Sequence, residues 1–330
     1  MMHVRFEIGD ASAVGEARRR ASALARALGF GDSVVGRISL IVTEVATNLI
    51  KHAGGGEVLL CAAEQPTGNQ LDVLALDSGP GIDDVARAMR DGFSGAGSPG
   101  TGLGAIARLA SVFDCYSRPL TGTAVFARVA TAAPAAGRGI AVDGINVPFP
   151  GELVSGDTWA VSRSAGKALV LLADGLGHGP AAHEAASAAA AAFHRHATES
   201  PVQVLQHIHA ALRPTRGAAV GVAEVDTAHR TVRFAGLGNI AGTIIDNGAT
   251  RSMVSHHGTA GHDARRFDEF SYPWSAGAQL VLHSDGLITH WTLDAHPGLL
   301  AKHPALAAAV LYRDFRRGRD DTTVVVVRQI

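Results

Sequence analysis

Along residues 32–53, DSVVGRISLIVTEVATNLIKHA, apolar side chains fall at Val34, Ile38, Ile41, Val42, Val45 and Leu49. That spacing predicts an amphipathic helix, opened by the capping candidates Asp32 and Ser33. Glu44, Asn48 and His52 recur every four residues and share another face of it. A solvated polar stripe has the same pattern. The run LDVLAL (71–76) predicts a strand that ends in Asp77, followed by Gly79 and Gly81, and GSPGTGLGAIARLASVF (97–113) enters a second helix through Gly100, Gly102 and Gly104. Beyond residue 150 the pattern changes to short strand-like runs at 157–161, 168–173, 218–225, 231–237, 241–246, 278–284 and 322–328. Helical pattern covers about 179–198 and a second stretch near 201–213. Strands in this number with few helices predict a two-layered β core with helices packed outside.

The two patterns meet at VATAAPAAGRGIAVDG (129–144), small, Ala/Gly/Pro-rich and weakly patterned, which reads as a joint. The expected organisation is a domain at 1–132, a linker at 133–139 and a domain at 140–330. The chain has 330 residues and is 47% hydrophobic, enough for two ordinary cores. Lys plus Arg (29) nearly balances Asp plus Glu (30), so bulk charge points to no nucleic-acid partner. Two cysteines, Cys61 and Cys115, suit a reducing compartment and not a disulfide framework. The opening MMHVRFEIGD has no apolar leader region and no run approaches a membrane span, so a cytoplasmic protein without membrane partners is expected.

Glycines let backbone approach a ligand closely, and N–H groups at a helix entry attract anions. A polar helix face, an Asp-x-Gly-x-Gly after a strand and a Gly-rich helix entry follow one another within about 60 residues, a specific combination. Together with TEVATNLIKHAGGG, DSGPGI, RDGFSGAGSPGTGLG and GTAVFARV, they make residues 1–130 resemble the RsbT-like anti-sigma-factor serine/threonine kinases of the GHKL ATP-binding fold. The resemblance implies an α/β sandwich of the Bergerat type that binds ATP with Mg²⁺. It implies Asn48 as the Mg²⁺ ligand, Glu44 as the general base or water-orienting carboxylate, and Asp77 on the adenine amino group. Gly79 and Gly81 would shape the pocket, Gly100, Thr101, Gly102, Leu103 and Gly104 would border the phosphates, and Thr123 would lie on the strand beneath the nucleotide. His52 is read as structural or phosphate-neighbouring. One carboxamide is enough protein for Mg²⁺, which shares its shell with phosphate and water.

In the second half, ALVLLA runs into Asp174-Gly175-Leu176-Gly177-His178-Gly179, and LVLHS runs into Asp285-Gly286-Leu287. Asp-Gly is also a favoured hairpin dipeptide, so either alone reads as a turn. Asp157 at a strand start and Asp320-Asp321 before the last strand add further carboxylates at strand ends. Converging carboxylates repel, and a divalent metal pair offsets that repulsion; oxygen-only ligands favour Mg²⁺ or Mn²⁺. GELVSGD, LLADGLGHGPAA, GLGNI, LVLHSDGL and DDTTVVVV resemble the PPM-type metal-dependent serine/threonine phosphatases, in their compact SpoIIE/RsbX branch. That resemblance implies a β-sandwich flanked by helices and two Mn²⁺ or Mg²⁺ ions. Asp174 would bridge the ions, the Gly175 carbonyl would ligate, and Asp157, Asp285 and Asp320 would complete the site. Asn239 is a substrate-side candidate and not a ligand. No counterpart of the phosphate-binding arginine of larger family members is evident.

The chain as a whole is thus expected to be an α/β (α+β) protein that joins a kinase to a phosphatase. The partners implied are STAS-domain antagonist or stressosome scaffold proteins, with a downstream switch protein or sigma-factor regulator as a further partner. Two other readings stay open: a phosphatase whose GHKL domain only senses ATP, and an anti-sigma-like module that sequesters a partner.

Overall fold

In the computed structural model, which describes residues 1–64, 68–90, 102–132 and 139–330, the chain opens with strand β1 (Val4–Ile8) and helices α1 (Ala11–Ala27) and α2 (Asp32–Asn48). Asp10 caps α1, its Oδ1 accepting from the backbone N–H of Ser12 (2.8 Å) and Ala13 (3.0 Å). At α2 the N-cap is Gly31, not Asp32 or Ser33. Asp32 is already helical, where a carboxylate in the first turn still favours the dipole. A π-helical turn, Leu49–Ala53, follows Asn48 and ends on left-handed Gly54. The wider turn breaks the four-residue period, so His52 leaves the Glu44–Asn48 register and is exposed.

Strands β2 (Gly56–Ala63) and β3 (Gln70–Leu76), the short α3 (Val85–Ala88), α4 (Leu103–Leu109), and strands β4 (Val112–Arg118) and β5 (Gly122–Ala130) follow in this N-terminal unit. The sheet is antiparallel, in the order β1-β2-β3-β5-β4. Ile38, Ile41, Val42 and Val45 of α2 pack over alternate sheet residues Val58, Leu60, Val73, Ala75, Val125 and Ala127. Ala17, Ala21 and Ala25 let α1 join the same layer closely. The continuous helical stretch Asp32–Ala53 is, contrary to expectation, long and apolar enough to cross a membrane by length and composition. Its apolar stripe is the core of this sheet.

The C-terminal unit contains β6 (Ile140–Val147), β7 (Asp157–Ser164), β8 (Lys167–Gly175), α5 (Pro180–Arg195), α6 (Pro201–Ala211), β9 (Ala218–Asp226), β10 (Thr231–Leu237), β11 (Ala241–Asp246), β12 (Ala249–Ser252), β13 (Phe270–Pro273), β14 (Gln279–His283) and β15 (Thr322–Gln329). One sheet runs β13-β10-β9-β8-β7 and the other β12-β11-β14-β15-β6. Period-2 alternation sends Trp159, Val170, Leu172 and Phe234 of the first sheet against Leu280, Leu282, Val325 and Val327 of the second. The opposite face of the first sheet, with Leu169, Leu171 and Ala173, is covered by Ala185, Ala189 and Phe193 of α5 and Leu205 and Ile208 of α6. The expected two-layered β core with outer helices is what forms. All seven strand-like runs are strands.

One helix groups against its place in the sequence. Helix α7 (Pro304–Phe315) lies between β14 and β15, yet residues Ala301–Arg313 group with the N-terminal unit and not with Gly137–Leu300 and Asp314–Ile330. The division into 1–132 and 140–330 therefore does not describe this segment. Ala305 to Tyr312 are all buried, so the helix needs an apolar surface. The second face of the N-terminal sheet carries Leu59, Leu74, Leu76 and Phe126, all fully buried, and His303 stacks on Phe126 at 4.4 Å. Asp114 accepts from the His303 backbone N–H at 2.7 Å and from Lys302 Nζ at 3.2 Å.

Candidate functional site

In the N-terminal unit, antiparallel pairing of β3 with β5 continues one step past Leu76, and Asp77 N–H donates to Thr123 O at 3.0 Å. Asp77 Oδ1 accepts from Gly79 N–H (2.8 Å) and Thr123 N–H (3.1 Å), which orients the carboxylate. Arg313 of α7 donates from Nη1 to the Asp77 carbonyl at 2.8 Å. Gly79 has no room for a side chain: a Cβ would lie 2.6 Å from that of Ala53. Gly81 (φ 74°) would drive one into the Arg118 carbonyl. The structure thus brings Asp77, Gly79, Gly81 and Thr123 together.

Glu44 and Asn48 sit one turn apart on α2, half-buried, directly before the π turn. Neither has a hydrogen-bond partner among the described residues. Gly102 is the N-cap of α4, and Leu103 and Gly104 form its first turn. Gly100 and Thr101 lie outside the described residues.

In the C-terminal unit, register does the collecting. Asp157, first in β7, is the direct cross-strand partner of Asp174 near the end of β8. From the other sheet, β14 delivers Asp285 and β15 starts just after Asp320. The sheets are tied at this end by Ser284 Oγ, which donates to Asp157 Oδ2 at 2.6 Å, and by Gly156 N–H, which donates to Asp321 Oδ2 at 3.0 Å. Asp321 Oδ1 accepts from Phe149 N–H at 2.8 Å, so both Asp321 oxygens serve backbone donors and the residue is structural. Asp320 is the more open of the pair. Gly175 is buried, with no space for a Cβ against the Ala182 carbonyl.

The electrostatics are those of crowded carboxylates. Burial pushes Asp157 up to about 7, with Asp321 and Asp320 adding to the rise and the Ser284 hydroxyl opposing it. Burial, then the neighbouring Asp157, Asp285 and Asp320, push Asp174 well above the usual carboxylate range. Asp320 is raised by burial and by Asp285. Asp157 Oδ1 is buried without a hydrogen-bond partner. An acceptor in that condition is destabilising unless something positive meets it. The donor set therefore fits a divalent cation pair: oxygens only, and negative charge held together by the fold.

Sequence reasoning did not pick out Ser284, although a lone hydroxyl closing the apolar run LVLH was the available signal. Asn239 was placed on the substrate side. Its Nδ2 donates to Asp285 Oδ2 at 2.8 Å, which orients that carboxylate. His178 bridges to Glu152 Oε1 (2.8 Å) and stacks on Phe149 at 4.6 Å, which ties the 149–152 turn to the DGLGHG loop.

Residues 164–329, half of the chain, match the family model of Stage II sporulation protein E (SpoIIE). The chain belongs to the SpoIIE family. Ahead of this SpoIIE region, residues 9–129 match the histidine kinase-like ATPase domain. The serine/threonine-protein kinase RsbT of Bacillus subtilis (strain 168) is 35% identical over 109 residues, 33% of this chain and 82% of RsbT. The phosphoserine phosphatase RsbX of the same organism is 20% identical over 138 residues, 42% of this chain and 69% of RsbX. Among solved structures, a chain from work on the bacterial stressosome as a modular system controlling secondary messenger signalling has a TM-score of 0.53 and 27% identity. It covers 57% of this chain and 99% of that one. RsbX in complex with magnesium has a TM-score of 0.51 at 17% identity, covering 59% of this chain and 97% of that one, a likeness of fold. The SpoIIE-family half has a fold like that of RsbX, and the N-terminal half is a histidine kinase-like ATPase domain related to RsbT.

Proposed function

We propose that this protein sets the phosphorylation of a STAS-domain partner from both directions. Its N-terminal unit transfers a phosphoryl group from ATP to serine or threonine, and its SpoIIE-family unit removes it. The observation that carries the phosphatase half is the cross-strand pair Asp157–Asp174 in one sheet, with Asp285 and Asp320 at strand ends of the other close enough to raise Asp174, and a buried, unpartnered Asp157 oxygen. Asp157, Asp174, Asp285, Asp320 and the Gly175 carbonyl would hold two Mn²⁺ or Mg²⁺ ions. When bound, such ions supply a water of lowered pKa and a clamp on phosphoryl oxygens. The chain itself holds these carboxylates in place: Ser284 orients Asp157, Asn239 orients Asp285, and the Asp321 bridge keeps the two sheet ends together.

In the N-terminal unit, Asp77 Oδ2 is left to accept from the adenine amino group once Oδ1 is engaged by backbone. Asn48 would ligate the Mg²⁺ that accompanies ATP and offsets charge on its phosphates. Glu44, one turn earlier, would take the proton of the incoming hydroxyl. Phosphoryl transfer needs mainly such positioning and neutralisation. Gly100, Gly102 and Gly104 with Thr101 and Leu103 would border the phosphates. The relation to RsbT and RsbX supports a cytoplasmic switch and a STAS-type partner.

The test uses the full chain, γ-labelled ATP and a panel of purified STAS-domain proteins, with wild type compared with Asp285→Ala. Label should accumulate on one partner with Asp285→Ala and turn over with wild type. Hydrolysis of a phosphoserine partner by Asp285→Ala at the wild-type rate would overturn the metal site. Nucleotide-dependent binding with no transfer by either protein would make the N-terminal unit a sensor or a sequestering module.

A further inference from the structure

No counterpart of a phosphate-binding arginine is evident in the sequence, and the carboxylate centre itself supplies only negative charge. We infer that Arg216 is the residue that binds the substrate's phosphoryl group, an assignment that rests on the phosphatase reading above. In the β8–β9 pair, Gly175 lies opposite Ala218. The pairing continues beyond the strand end, because Leu176 N–H donates to Gly217 O at 3.1 Å. One more step sets Gly177 opposite Arg216, so the arginine faces the DGLGHG loop that carries Asp174 and Gly175.

The side chain follows the backbone. Gly177 (φ 82°) has no side chain, and a Cβ built there would lie 3.5 Å from Arg216 Nη1. One end of the guanidinium therefore lies at this glycine, in the loop that begins with Asp174. The turn that carries it is fastened on several sides. Thr215 Oγ1 donates to Leu212 O at 2.7 Å and accepts from Gly217 N–H at 3.0 Å, and His262 Nε2 sits 2.9 Å from Thr215 O. Gly217 (φ 83°) is seated so closely that a Cβ would lie 2.6 Å from the Ala260 carbonyl.

Against this held backbone, the guanidinium is exposed and has neither a hydrogen bond nor an ion pair among the described residues. Arg317, on the Asp285 side, is by contrast engaged: its Nη2 donates to Thr289 Oγ1 at 3.1 Å. A planar fork of N–H donors with no protein counter-ion among the described residues, carried on a held backbone next to the DGLGHG loop, matches a phosphoryl dianion in charge and geometry. The ligand class is a phosphorylated serine or threonine side chain, with inorganic phosphate as the product that shares its chemistry.

Steady-state hydrolysis of p-nitrophenyl phosphate and of a phosphoserine peptide by the full chain in Mn²⁺ tests this, with Arg216→Ala, Arg216→Lys and, as a surface control, Arg251→Ala. Arg216→Ala should raise KM and weaken inhibition by inorganic phosphate in parallel, each by about tenfold or more, with a smaller change in kcat. Arg216→Lys should recover part of the loss, because it keeps charge without the fork, and the Mn²⁺ concentration for half-activation should not move. KM and phosphate inhibition within twofold of wild type in Arg216→Ala would overturn the assignment. Calorimetric titration of inorganic phosphate into the Mg²⁺-loaded chain gives a second reading. If wild type binds phosphate but hydrolyses nothing, the phosphatase reading fails alone; if Arg216→Ala and Arg216→Lys bind phosphate as wild type does, Arg216 fails.

Discussion

Asp157 keeps Oδ1 without a donor at 3% exposure, while Ser284 Oγ reaches Oδ2 at 2.6 Å. Burial raises its carboxyl from an ordinary 3.8 to about 7, so in the metal-free protein the folded state keeps a proton that the unfolded chain releases. That contribution to stability is fully present below pH 3.8 and is lost as pH rises through 7. Thermal melts of chelator-stripped protein should therefore show the C-terminal transition falling between about pH 4 and 7 and levelling above that, by about 1 kcal/mol per unit at its steepest. Mn²⁺ should restore most at the alkaline end, where ligands are deprotonated. A flat profile would mean that Asp157 is not a strained carboxylate. In the other unit, Asn48→Ala should abolish Mg·ATP binding in calorimetry, whereas Glu44→Ala should bind ATP as wild type does and transfer about 10²–10⁴ times more slowly. Equal losses of affinity and rate in Glu44→Ala would remove its role as a base. Both α2 residues are visible in the sequence through their four-residue spacing. Ser284 shows in the sequence only as a hydroxyl closing an apolar run, because its role comes from a strand of the other sheet.

Among the elements, α7 is the one whose place contradicts its position along the chain. Its run from Ala305 to Tyr312 is buried throughout, so no amphipathic period marks it in the sequence and it was not singled out there. What it packs with is fixed by contacts far apart in the chain: His303 on Phe126, and Arg313 on the Asp77 carbonyl. Leu306→Ala, at a fully buried site, should destabilise by about 2–5 kcal/mol. The expected effect is on the unfolding transition that Mg·ATP shifts, with the Mn²⁺-shifted transition nearly unmoved. The reverse pattern would return α7 to the phosphatase unit. The strands behave differently. Runs such as ALVLLA and TTVVVV are legible because fully buried strands need continuous apolar residues, and each was placed within a residue or two.

For the whole molecule, the central prediction is one of direction. If the proposed assignments hold, Asp174→Ala and Asp285→Ala should each turn the protein into a net kinase toward its partner, since loss of one proposed ligand removes hydrolysis while the residues proposed to bind ATP stay intact. Asn48→Ala should leave a net phosphatase, and the two defects should combine additively, because the residues belong to separate compact units. Phosphate on one partner, measured with all three variants, checks this; an Asp285→Ala protein that still dephosphorylates would contradict it. The sequence alone determined the kinds of chemistry present. Carboxylates at strand ends and glycines at helix entries are local requirements, and local requirements are written in neighbouring residues. Tertiary structure decided which of those residues act together. Asp157 faces Asp174 through strand register, Asp320 and not Asp321 is left open because backbone N–H groups from residues 149 and 156 consume the latter, and Arg216 lies over Gly177 across a turn some 40 residues away. Each depends on hydrogen-bond pairing between distant segments, which no short stretch of sequence encodes.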